Sequence, residues 1–75
     1  MGASQRSLSI TVNGRSQAVV VAQPPTVADA IAALGLQGKR IAVERNGAIV
    51  SRSRYAETLI EDGDRLEIVG AVGGG

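Results

Sequence analysis

Gly73, Gly74 and Gly75 close the sequence behind Val69-Gly70-Ala71-Val72, and they are the residues from which chemistry can be argued. Glycine loses more conformational freedom on ordering than any other residue, so a terminal glycine run does not stabilise a fold. Such a run can be a frayed end. It can also be a slim arm that carries a carboxylate to a place where side chains do not fit. A carboxylate resists nucleophiles, because attack puts further negative charge on an anionic centre. Conversion to an acyl adenylate supplies a leaving group and makes the tip an acyl donor. That conversion needs ATP and a second protein, with a narrow site closed to water so that the adenylate survives. The chemistry therefore asks for a terminal Gly-Gly, an extended approach to it, and a compact body that stays outside.

Little else in the chain competes. An active site within the body needs a nucleophile with a base, paired carboxylates or a metal cluster. The chain has neither Cys nor His, so thiolate and imidazole chemistry is excluded, as are disulfides. Glu61, Asp62 and Asp64 are close in sequence, but they lack the ligand spacing and closing Glu of a calcium loop. They read as a solvated turn before a strand. Glycines 35, 38, 47, 63 and 70 have no phosphate-cradle spacing. Tyr55 reads as a cap on the core. Arg52 and Arg54 read as solvated cations, either of which can meet an acidic partner. The carboxylate of Gly75 is left as the candidate reactive group.

Composition narrows the class further. The 75 residues make one small domain, of a size at which regular secondary structure has to carry stability when disulfides and metals are missing. Eight basic and seven acidic residues give a net charge of +1, which offers no reason to expect nucleic acid or an anionic membrane as partner. One aromatic residue leaves no platform for stacking bases. No apolar run approaches the roughly 20 residues of a membrane span. Met1 to Arg6 have neither the apolar stretch of a signal peptide nor the myristoylation pattern. A cytoplasmic protein is expected.

The elements that must hold the tail follow from periodicity. Residues 1–7 are small and polar and are expected to be a disordered lead-in. Leu8, Ile10 and Val12 alternate with Ser9 and Thr11, which predicts a half-buried strand. Asn13-Gly14 is a hairpin turn, and a return strand over about residues 17–22 puts Val19 and Val21 inward and Val20 outward. Pro24-Pro25 stops both strand and helix. Thr26 is the N-cap of a helix of about two and a half turns, with Asp29 completing a capping box and Val27, Ile31 and Leu34 forming the apolar stripe. Gly35 ends it, and Leu36 makes the accompanying contact. A helix this short has to be docked on a sheet. Residues 40–45 form a third strand with Ile41 and Val43 inward. Asn46-Gly47 turns the chain into Ala48-Ile49-Val50. Tyr55 and Leu59 suggest a helical turn over the core, Gly63 supplies a turn, and residues 65–69 form the last strand with Leu66 and Ile68 inward and Val69 outward.

Hairpin, helix and returning strands predict an α+β domain over residues 8–69, a β-grasp with a mixed four- to five-stranded sheet and one main helix. Residues 70–75 are then a flexible tail. The last strand is expected to lie centrally, parallel to the first, so that the tail leaves from the most rigid element. One helix covers one face of the sheet, leaving the other wet or meeting a partner.

Several stretches together resemble the ThiS family of sulfur carriers, within the ubiquitin-like β-grasp superfamily. They are Ile10-Thr11-Val12-Asn13-Gly14, Thr26-Val27-Ala28-Asp29, Val43 to Val50, Glu61 to Val69, and Val72-Gly73-Gly74-Gly75. The likeness covers about residues 8–75. Ser51 replaces a Pro frequent in such carriers, Tyr55 stands where Trp is common, and a third glycine lengthens the reach by at most about 3.5 Å. The resemblance implies a cycle. An E1-like, ThiF-type adenylyltransferase uses ATP to adenylate the carboxylate of Gly75. Sulfur from a cysteine desulfurase then displaces AMP to give a thiocarboxylate, which feeds a ThiG-type thiazole synthase in thiamin biosynthesis. The carrier is then a cosubstrate and not an enzyme, binds no cofactor itself and is monomeric when free. Val69, Ala71, Val72, Gly73 and Gly74 are implied to touch partners.

Three other readings share part of this pattern. A MoaD-like small subunit of molybdopterin synthase or a carrier for tRNA thiolation has the same tip and fold. A β-grasp interaction module of the TGS type has the fold with an idle tail. A ubiquitin-type modifier also ends in glycine, although a single lysine, Lys39, makes chains of it implausible.

Overall fold

The computed structural model describes residues 5–70. Strand β1 (Gln5–Val12) and strand β2 (Arg15–Ala22) form an antiparallel hairpin in which Leu8 faces Val19 and Ile10 faces Gln17. Asn13 and Gly14 turn it at φ of 51° and 83°, the positive pair that a two-residue turn of matching twist requires. Leu8, Ile10, Val12, Val19 and Val21 are buried, while Val20 is exposed. The first strand begins at Gln5, ahead of the expected Leu8, so part of the expected lead-in is sheet. Gln5, Arg6 and Ser7 are exposed and pair with Ala22, Val21 and Val20. A ladder needs only backbone donors and acceptors, so their polar side chains do not prevent pairing.

Helix α1 (Val27–Ala33) has the expected capping box. The Thr26 N–H donates to Asp29 Oδ2 at 2.9 Å, and the Asp29 N–H donates to Thr26 Oγ1 at 3.3 Å. Val27 and Ile31 are buried, Leu34 is partly buried, and Ala30 joins them in the core, fully buried. Seven residues are about two turns, shorter than expected. The helix ends at Leu34 because Gly35 takes a φ of 77°, and the Leu36 N–H then donates to the Ile31 carbonyl at 3.0 Å.

Strands β3 (Ile41–Arg45), β4 (Ala48–Val50) and β5 (Arg65–Gly70) complete a five-stranded mixed sheet in the order β2-β1-β5-β3-β4. The final strand is central, parallel to β1 and antiparallel to β3. Leu66 and Ile68 point into the core beneath the helix; Arg65, Glu67 and Val69 stand on the open face with Ala42, Glu44 and Ile49.

The segment between β4 and β5 departs from the expected helical turn. A 3-10 turn spans Arg52–Arg54, and Tyr55 is half-buried against the core, but Leu59 is exposed and Ile60 is buried. Leu59 makes a bridge with Thr26, and the Ile60 N–H donates to the Pro25 carbonyl at 3.1 Å. Extended backbone alternates its side chains, so the residue beside Leu59 is the one that turns inward.

Candidate functional site

The root of the tail is the end of β5, and both flanks of that strand are secured. On one flank the N–H groups of Thr11 and Asn13 donate to the carbonyls of Asp64 and Leu66, each at 2.9 Å. On the other flank β3 runs from Arg45 opposite Leu66 to Ile41 opposite Gly70. From Arg65 to Ile68 the strand is held from both sides, so opening it there has to break both sets of bonds, while Val69 and Gly70 pair with β3.

The two Asn-Gly turns contribute more than reversals. Beyond Val12 the ladder of β1 stops, and the side chain of Asn13 continues it: Oδ1 accepts from the Ile68 N–H at 2.7 Å, and Nδ2 donates to the Ile68 carbonyl at 2.8 Å. Asn46 does the same service at the start of β5 from the opposite flank. Its backbone N–H donates to the Arg65 carbonyl and its Oδ1 accepts from the Arg65 N–H, both at 2.8 Å. Each Asn has a φ of 51°, which its short polar side chain tolerates. Turn propensity accounts for an Asn at these positions; it does not reveal which strand the amide will reach.

The acidic turn before β5 is exposed at Glu61 and Asp62, as expected, but Asp64 departs from a solvated loop. Asp64 is buried, its Oδ2 accepting from Arg45 Nε at 2.6 Å and from the Glu61 N–H at 2.8 Å. Its Oδ1 accepts from Asn46 Nδ2 at 3.1 Å. Burial pushes the Asp64 carboxyl up, but the hydrogen bonds from Arg45, Asn46 and the Glu61 backbone, with the charge of Arg45, outweigh it and hold the group below the ordinary value of 3.8. Asp62 accepts from the Ser9 N–H at 2.7 Å, and Gly63, at a φ of 89°, closes the turn. These carboxylates are spent on fixing where β5 begins. No group of three or more His, Cys, Asp or Glu suited to a metal occurs among the described residues.

Val69 lies where the sequence places it, 59% exposed on the open face and opposite Ala42. Ile49, on the same face, is 80% exposed. The other expected site residues, Ala71, Val72, Gly73, Gly74 and Gly75, lie outside the described residues. Gly70 is the last described position, and a Cβ built there meets nothing within 4 Å, so packing does not demand glycine at that point. What the sequence does not reveal is a concentration of cations beside it. Lys39, Arg40 and Arg52 line a hollow of about 270 Å³ together with Ile41 and Tyr55. They come from two segments separated by β3 and β4, so no run of charge advertises them.

No described helix is long and apolar enough to cross a membrane. The model of the ThiS family matches residues 7–75. The chain is 44% identical over 50 residues to the sulfur carrier protein ThiS of Bacillus subtilis, covering 67% of this chain and 76% of that protein. It is 38% identical over 68 residues to a thiazole synthase of Paramagnetospirillum magneticum, a match that takes in 91% of this chain and spans only a fifth (20%) of that longer protein. A crystal structure of the thiamine biosynthesis protein ThiS from Geobacter metallireducens superposes with a TM-score of 0.75 at 33% identity, covering 91% of this chain and 100% of the other.

Proposed function

The chain belongs to the ThiS family, and from that premise we propose that it is a sulfur carrier of thiamin biosynthesis whose working atom is the carboxylate carbon of Gly75. The observation that supports the reading is the placement of β5. A carrier needs an arm that leaves a rigid body, and the strand running into Gly70 is central, paired on both sides and held by Asn13 at Ile68.

The chemistry follows in balanced steps. A carboxylate oxygen of Gly75 attacks the α-phosphorus of ATP in the site of a ThiF-type adenylyltransferase, and pyrophosphate leaves. The terminal sulfur of a persulfide, supplied by a cysteine desulfurase, attacks the acyl carbon, and AMP leaves with the anhydride oxygen. A thiol then cleaves the acyl disulfide, releasing the thiocarboxylate and taking the other sulfur as a mixed disulfide. The thiocarboxylate is the sulfur donor for a ThiG-type thiazole synthase. A thiazole synthase containing a stretch similar to this chain supports pairing the two activities. In this cycle the chain is a cosubstrate, works in the cytoplasm as a free monomer, and leaves ATP binding to its partner.

The test is an intact mass after incubation with ATP, a persulfide source, a thiol and a ThiF-type enzyme. The reading expects a gain of one sulfur and a loss of one oxygen, localised by fragmentation to Gly75. A chain whose mass is unchanged, or whose sulfur maps elsewhere, overturns it.

A further inference from the structure

Charge is divided along the axis of β5, a strand about 20 Å long. At its start, Glu61, Asp62 and Asp64 stand with Arg6, Arg45 and Arg65, and two of these acids are tied to backbone or to Arg45. At its end, opposite Gly70, the hollow beside Ile41 is lined by Lys39, Arg40 and Arg52 with no acid in the lining. A second hollow shares Lys39, Ile41, Arg52 and Tyr55 and continues to Ile31 and Leu36, which close its floor. Tyr55 is braced there by its hydroxyl, which donates to the Ile41 carbonyl at 3.4 Å. Lys39 and Arg52 are both exposed.

A cationic rim over an apolar floor selects its occupant. A free phosphate or a nucleic-acid backbone would gain from the cations and nothing from Ile31 and Leu36, and no aromatic besides Tyr55 is present to stack a base. A folded protein surface carrying Asp or Glu around an apolar residue satisfies both parts. We propose that Lys39 and Arg52, around the floor shared with Tyr55, form a docking site for an acidic surface of the enzyme that activates the tail. The site rests on the carrier reading above and adds to it the means of alignment. Opposite charges bring the two proteins together with the Gly70 end leading, since at the far end Glu61, Asp62 and Asp64 balance Arg6, Arg45 and Arg65 and leave no net cationic pull. Complementary charge of this kind acts chiefly on encounter rate and orientation, and weakens with salt.

The experiment is the steady-state rate of pyrophosphate release by the adenylating enzyme as the concentration of the full chain is varied. Lys39→Glu and Arg52→Glu are each expected to raise KM for the chain by about tenfold with kcat kept within about twofold. Arg6→Glu, an equal charge change at the far end, is expected to leave both within about twofold. KM for the unaltered chain is expected to rise with ionic strength, a readout that needs no variant to fold. Unchanged KM in the Lys39 and Arg52 variants, an equal rise in the Arg6 variant, or a KM indifferent to salt overturns the docking site while leaving the carrier reading intact. No pyrophosphate from the unaltered chain with any ThiF-type enzyme overturns both.

Discussion

Asn13 holds Ile68 by both of its backbone groups, at 2.7 Å from the N–H and 2.8 Å to the carbonyl, across 55 positions of sequence. The side chain of a turn residue thereby stands in for the next residue of β1 and extends the grip on β5 almost to the point where the tail begins. Asn13→Ala removes both bonds and puts a Cβ without a polar partner at positive φ. A loss of about 1–3 kcal/mol is expected from the unpaired groups alone. Asn13→Gly relieves the backbone but not the bonds, so it should recover only part of that loss. Amide exchange at Ile68 is the direct measure, and both variants should exchange faster there; protection equal to that of the unaltered chain would refute the role.

Leu66 is fully buried at the centre of the sheet, between β1 and β3. Leu66→Ala should cost about 2–5 kcal/mol, as buried large-to-small changes do. A domain this small holds little more than that in reserve. Thermal melting should show a large drop or an unfolded chain, and a melt like the original would contradict the central placement of the strand.

Asp64 makes stability depend on acid. Its carboxyl is held below 3.8, the value it has without partners, so the folded state favours the ionised form. The contribution is whole above that value and is lost as pH falls through it towards the lower value of the folded protein. Asp64→Asn should remove this part of the acid dependence. It should also cost about 1–3 kcal/mol at neutral pH, since an Asn amide is uncharged opposite Arg45 and keeps only one acceptor oxygen for the donors that Arg45, Glu61 and Asn46 direct at the two oxygens of Asp64. Denaturant midpoints of both proteins across the acid range check the sign: the two curves should converge as pH falls.

Val69 separates folding from partner contact. Its side chain is more exposed than buried, so Val69→Asp should leave the thermal midpoint nearly unchanged. If partners touch the outward side of β5, the same change should weaken adenylation and sulfur delivery together. Gly75→Ala should spare folding equally and block adenylation through the added Cβ at the tip. Wild-type turnover with both variants would argue against passage of this end through a narrow site.

The sequence by itself determined the strands, the helix cap and the turns, because each depends on neighbours. Alternation put Val19, Val43, Leu66 and Ile68 inward, and Thr26 with Asp29 marked the helix start. The terminal glycines and the order of the motifs were enough to point to the family. Tertiary structure alone decided three things. It made Asp64 the buried centre of a network, where composition suggested only a wet turn. It sent Ile60 inward in place of Leu59, since the bridge to Thr26 and not helical spacing set the segment. It also gathered Lys39 and Arg52 beside Gly70. All three depend on which distant segments meet across the sheet, and local periodicity carries no record of that: a strand's inward face is written in its own residues, but its neighbours are chosen by the topology that buries every inward face at once.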